Sequence, residues 1–182
     1  MTDTICTAAA HAAGLNPEDL RSLASIARRT AEKGGAELMR HYGRLNSVES
    51  KGRIGDLVTN SDLAAEQVVL QELARATPHI AVLAEESGAE GEQNGLRWCI
   101  DPLDGTTNFT HGYPFFATSI GLTFQQQPVL GAIAVPFLKE TYWGAPGLGA
   151  HCNDNSIEVS SCESLEDSLL VTGFAYDRHT RL

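Results

Sequence analysis

WCIDPLDGTTNFTHGYPFFATSIGL, residues 98–122, is the stretch on which the fold of this chain turns. Trp98, Cys99 and Ile100 read as a buried strand running straight into Asp101. Pro102 follows and has no N–H to give a ladder, while Asp104 and Gly105 are turn residues. Both aspartates are therefore expected on one tight loop at the end of a strand.

Two carboxylates on such a loop repel each other. The chain can relieve this by sharing a proton, by solvating both groups, or by binding a hard cation. The neighbours favour the cation: Gly105 lets backbone approach a ligand, and Thr106 and Thr107 add hydroxyls. An isolated pair of aspartates three apart is often only a solvated turn. The full string Asp101–Pro114, DPLDGTTNFTHGYP, preceded by AEESG at Ala84–Gly88, is far harder to reach by chance. Together these segments resemble the signature of the inositol monophosphatase family of magnesium-dependent, lithium-sensitive phosphatases.

The resemblance implies an α+β fold of alternating layers, with an N-terminal helix pair packed on a largely antiparallel sheet. It also implies roles. Glu85 and Asp101 would hold a first Mg2+ together with the Leu103 carbonyl, and Asp101 would bridge to a second Mg2+ that Asp104 also ligates. Thr106 and Asp62 would activate water, two cations stabilising attack and departure without a covalent nucleophile. Leu103, Asp104, Gly105 and Thr106 would meet the substrate phosphate. Lys51 and Asp56, in KGRIGDLVT, match a mobile loop that closes over a third, weakly held ion. Read without the resemblance, Asp62 is a helix cap and Lys51 and Asp56 lie on a solvated loop. His111 is expected to be structural, Glu86 and Ser87 supporting, and Trp98, Phe109, Phe115 and Phe116 core.

Composition bounds the function from outside. Hydrophobic residues make up 42% and charged residues 20%, which excludes a disordered chain. Thirteen basic against 23 acidic residues give −10 with no basic block, so neither a nucleic-acid backbone nor an anionic membrane is an expected partner. A phosphorylated substrate would then need bound divalent cations for local positive charge. Cys6, Cys99, Cys152 and Cys162 show neither a CxxC pair nor regular spacing. No signal-like leader or long apolar run is seen, so a reducing cytoplasm is the expected address.

Along the chain, residues 1–15 read as a mobile Ala/Thr-rich tail and residues 16–182 as one α+β domain. Asn16, Pro17 and Asp19 signal a helix start, and Leu20, Leu23, Ala24, Ala27, Ala31 and Leu38 recur near the helical period. Gly34 and Gly35 weaken that helix by roughly 1 kcal/mol each unless close packing demands them. After a loop or hairpin over residues 48–60, a second helix is expected near Asp62, with Ala65, Val69, Leu73 and Ala76 on one face. Ile80–Leu83 should be a strand delivering Glu85 and Glu86. Phe115–Phe124, Val129–Val135 and Thr141–Gly144 read as an antiparallel meander, extended by Ala150–Asn153 and by Leu169–Thr172.

The family resemblance has one gap. Its members continue beyond the point matching Leu182 and carry a Trp-Asp pair whose aspartate completes the second metal site, whereas Trp98 and Trp143 are followed by other residues here. The expected activity is hydrolysis of inositol monophosphate or a similar small phosphate ester. Rival readings are a related phosphatase for fructose bisphosphate, histidinol phosphate or nucleotide bisphosphate, and a truncated, catalytically silent metal-binding fragment. The resemblance leaves room for a homodimer, though no sequence feature marks an interface.

Overall fold

The computed structural model describes residues 2–44, 48–50, 57–90 and 95–171; Lys51, Asp56 and Thr172 lie outside the described residues. The expected N-terminal tail is corrected first. Thr2–Ala12 form a helix, α1, with Ala9 and Ala10 buried in the core. Alanine has the highest helix propensity, and once its small face meets apolar neighbours a short segment holds.

The long helix α2 (Pro17–His41) starts where expected. Asn16 Oδ1 accepts the N–H groups of Glu18 and Asp19 at 2.8 and 3.0 Å, and Asp19 Oδ2 accepts the Asn16 N–H at 2.9 Å. This closes a capping box. All six periodic residues from Leu20 to Leu38 are buried. A two-stranded hairpin, β1 (Val48–Ser50) with β2 (Leu57–Thr59), leads into α3 (Asn60–Ala76), whose residues Ala65, Val69 and Leu73 are buried while Ala76 is exposed.

Eight further strands make one sheet: β3 (Ala81–Ala84), β4 (Gly88–Glu90), β5 (Leu96–Asp104), β6 (Ala117–Phe124), β7 (Gln127–Val135), β8 (Glu140–Ala145), β9 (Gly149–Cys152) and β10 (Asn155–Ile157). Their spatial order is β10-β9-β8-β7-β6-β5-β3-β4. From β5 to β10 each neighbouring pair is antiparallel, β6 to β9 being the expected meander, and β3 alone runs parallel to a neighbour, β5. That parallel pairing brings the C-terminal ends of β3 and β5 together, which is where the acidic residues are. The mixed architecture of helices on a mostly antiparallel sheet is the α+β fold read from the sequence.

One strand expectation fails, and an unforeseen strand forms. Leu169–Val171 carry no regular structure and stay exposed, while the polar stretch after Cys152 yields β10. The turn at Asn153, which sits at φ 55, closes the β9–β10 hairpin, so that edge strand forms through backbone pairing rather than apolar alternation.

The helices cover one face of the sheet. Trp98, Ile100, Ile120, Leu122, Ala132 and Ala134 join the α2 and α3 stripes in the main core, and Leu38, Ala65, Leu103, Phe109 and Phe116 form a second cluster beside the acidic end. Gly34 and Gly35 are where α2 meets the sheet: a Cβ on Gly34 would lie 2.8 Å from Thr118 Cγ2 and 3.0 Å from Val69 Cγ2, and one on Gly35 would lie 3.2 Å from Pro136 Cβ. Close packing does demand them. On the opposite face Cys99, Gly121, Gly131, Gly144 and Ala150 stand in register across five strands, beside the exposed Ile133 and Tyr142. Among the described residues, no helix is long and apolar enough to cross a membrane.

Candidate functional site

The expected tight loop is a bulge. Strand β5 does not stop at Ile100: Asp101 pairs with Ser119 and Asp104 with Ala117, with a register shift between them. Pro102 cannot donate to β6, and the chain compensates. Asp101 Oδ1 accepts the Leu103 N–H at 3.1 Å, and the buried Thr118 hydroxyl donates to the Pro102 carbonyl at 2.9 Å. The strand therefore bends rather than ends, as bulges beside functional residues commonly do. Leu103 drives its side chain into the second core cluster, leaving Asp104 exposed.

Gly105 completes the bend. Its φ of 89 is the left-handed conformation, and a Cβ would lie 3.2 Å from the Phe115 carbonyl oxygen, so any other residue is strained and crowded there. The short helix α4 (Thr106–Thr110) follows. Its last turn is tied by His111, whose Nδ1 lies 2.8 Å from the Thr107 carbonyl, a structural contact as expected. Trp98, Phe109 and Phe116 are buried, but Phe115, expected in the core, is 58% exposed. Just ahead of β6 it is Phe116 that turns inward, packing edge-on against Phe109 with ring centroids 4.8 Å apart.

Glu85 leaves the end of β3, its N–H donating to the Ile100 carbonyl at 3.2 Å. Its carboxyl group hydrogen-bonds that of Asp101. Burial, then the Glu85 charge and hydrogen bond, then the Asp104 charge push the Asp101 carboxyl up to about 7. Two close carboxylates that share a proton offer only oxygen donors, the donor type that hard divalent cations prefer. Among the described residues no group of three or more His, Cys, Asp or Glu side chains stands together as a ready metal cage.

Asp62 and Thr106 meet. Asp62 is 2% exposed and occupies the third position of α3. Its Oδ2 accepts the Thr59 N–H at 2.9 Å and the Thr59 hydroxyl at 2.6 Å, and its Oδ1 lies 3.3 Å from Thr106 Oγ1. Burial raises its pKa, and the bonds from Thr59 and Thr106 oppose that rise. The Thr106 hydroxyl has a second acceptor, the Leu103 carbonyl at 3.0 Å, so its one proton chooses between the two. The bend thus gathers Glu85, Asp101, Leu103, Asp104, Gly105, Thr106 and Asp62; Lys51 and Asp56 lie outside the described residues.

Two residues were missed in the sequence. Tyr42, just past α2, donates its hydroxyl to the Gly112 carbonyl at 2.6 Å and packs against Phe109 and Phe116, fixing α4 and the loop after it. Glu66, buried on α3, accepts the Glu86 N–H at 2.9 Å. The signal for Glu66 was its spacing: four residues after Asp62, it shares that residue's helix face.

A sequence model of the inositol monophosphatase family matches residues 19–182. An inositol-1-monophosphatase of Synechocystis is 47% identical over 164 residues, covering 90% of this chain and 57% of its own length. A fructose-1,6-bisphosphatase/inositol-1-monophosphatase of Aquifex aeolicus is 38% identical over 159 residues, covering 86% of this chain and 60% of its own. The solved structure of an inositol monophosphatase from Anabaena superposes with a TM-score of 0.77 at 44% identity, over 88% of this chain and 58% of that one. The chain thus spans somewhat over half the length of these relatives.

Proposed function

This chain belongs to the inositol monophosphatase family, and on that premise we propose that it works as a Mg2+-dependent phosphomonoesterase, hydrolysing inositol monophosphate or a similar small phosphate ester. The observation that carries the reading is the Glu85–Asp101 carboxyl pair, set at the joined ends of β3 and β5 with Asp104 one bulge away. Such a pair holds a proton because burial and then the neighbouring charge disfavour a second ionised carboxylate, and a divalent cation would offset both.

Glu85, Asp101, Asp104 and the Leu103 carbonyl would hold two Mg2+ ions. Bound there, Mg2+ supplies positive charge to the phosphate and lowers the pKa of water. The remaining work belongs to the chain. With its proton given to Asp62 Oδ1, the Thr106 oxygen accepts a hydrogen bond from water and orients it. The two Thr59 donors on its other oxygen partly offset the rise that burial gives the Asp62 carboxyl. Leu103, Asp104, Gly105 and Thr106 would form the wall that the phosphate meets, with Gly105 permitting the bend between them. Four free cysteines, with no disulfide to preserve, support a reducing cytoplasm as the setting.

Phosphate release from inositol monophosphate and fructose 1,6-bisphosphate, with and without Mg2+, tests the reading against an Asp101→Asn variant. Release should depend on Mg2+ and fall on the order of 100-fold or more in the variant. Equal turnover by the two proteins would sink the metal-based mechanism. The two substrates separate the activities that the names of the Synechocystis and Aquifex relatives carry.

A further inference from the structure

Resting on that reading of the site, we propose that Glu66 is a positioning residue: by holding the Glu86 amide it sets where Glu85 stands relative to Asp101 and to the Asp62–Thr106 pair. Glu66 belongs to neither the aspartate loop nor the Ala84–Gly88 segment. It is 4% exposed, an unusual place for a carboxylate, which is rarely buried without a partner. Its partner is the N–H of Glu86, 2.9 Å from Oε2.

The geometry around that bond gives it a purpose. The parallel ladder of β3 on β5 ends at Ala84 opposite Ile100, and Glu85 follows with its N–H on the Ile100 carbonyl. Beyond this point β3 turns away toward β4, which begins at Gly88. The next amide, that of Glu86, is taken by α3 instead of the sheet. Glu85 is therefore pinned from both sides, by its own amide to β5 and by its neighbour's amide to α3.

Helix α3 is also the element that carries Asp62. Residues four apart lie one above the other on a helix, about 5–6 Å between Cβ atoms. One rigid turn thus fixes both halves of the site: Asp62 against Thr106, Glu66 against the turn that bears Glu85. A carboxyl oxygen is a strong acceptor for a main-chain N–H, and Glu66 has the reach to place one at the turn.

The test compares the full chain with Glu66→Ala, which removes the acceptor, and Glu66→Gln, which keeps an oxygen at the same reach. Far-UV circular dichroism and a urea melt establish that each variant is folded, and if the alanine variant is not, the glutamine variant is compared with Glu66→Leu. Hydrogen exchange at the Glu86 amide, read without any cation, comes first. Its protection should be lost in the alanine variant and largely kept in the glutamine variant; equal protection in all three proteins overturns the proposal. Mn2+ binding by electron paramagnetic resonance comes second, with an affinity loss on the order of 10-fold or more expected for alanine and recovery for glutamine. Lost protection with unchanged Mn2+ affinity also overturns it. A parent chain that binds no Mn2+ would sink the phosphatase reading, and the exchange result would then decide the role of Glu66 alone.

Discussion

Asp62 divides its two oxygens between uses that its place in the sequence presents as rivals. One oxygen caps α3 through Thr59 and the other faces the Thr106 hydroxyl. Replacing it with asparagine leaves one acceptor oxygen, and the two Thr59 donors should claim it, turning the amide N–H2 toward Thr106 and reversing that bond. Urea melts of Asp62→Asn should show a loss of about 1 kcal/mol, while phosphate release falls on the order of 100-fold. A normal rate in a weakened protein would show that the carboxylate serves only the helix. Asp101 adds a pH signature. Its folded-state pKa near 7 lies above its ordinary 3.8, so the cation-free chain has the full stabilising effect of this proton below 3.8 and loses it as pH rises toward 7. A cation bound at Asp101 would have to displace that proton, so on the proposed reading Mg2+ affinity should tighten as pH rises and level off above about 7. Calorimetric titrations in buffers of different ionisation enthalpy read the released proton directly; no release below pH 7 would contradict the shift. At this scale the sequence was legible where chemistry is local, as in the aspartates, Gly105 and Thr106. Glu66 and Tyr42 went unseen because their partners, Glu86 and Gly112, are distant in sequence and are main-chain groups that any residue could supply.

Among the elements, α2 shows how far a helix can be read and where reading stops. Its cap, its proline and its apolar stripe are all visible in the sequence, whereas the value of Gly34 depends on Thr118, which packs against it from β6. Thr118 in turn holds the Pro102 carbonyl inside the bulge. An alanine at position 34 gains roughly 1 kcal/mol of helix propensity but places a methyl 2.8 Å from Thr118 Cγ2, and overpacking of this kind costs about 1–3 kcal/mol. Gly34→Ala should therefore be net destabilising in thermal or urea melts, and it should weaken Mg2+ binding through the displaced Thr118. A stabilised variant would show that the contact relaxes freely. Elsewhere the reading failed where a strand owes its existence to pairing alone. β4 and β10 are three-residue edge strands without an apolar pattern, and Leu169–Val171 have the pattern but no partner strand among the described residues. The tight loop became a bulge because Asp101 and Thr118 satisfy the backbone that Pro102 disrupts.

For the whole molecule, the helices cover one side of the sheet and leave Ile133, Tyr142 and Ile157 exposed on the other side or at its edge. A patch of this kind favours association. Sedimentation of this chain should depend on concentration and a hydrophobic dye should bind it, with Ile133→Lys reducing both and leaving the melting temperature nearly unchanged. Undiminished dye binding in the variant would move the patch elsewhere. The uncovered side is also unusual in relief, because Gly121, Gly131 and Gly144 lie level with one another and present bare peptide planes. The neighbouring row runs from Tyr142 through Ile133 and Ser119 to Asp101. The last member of that row is the carboxyl whose proton affinity burial raises first. A cover laid over that row would shield Asp101 further from water, and the carboxyl would then keep its proton to higher pH.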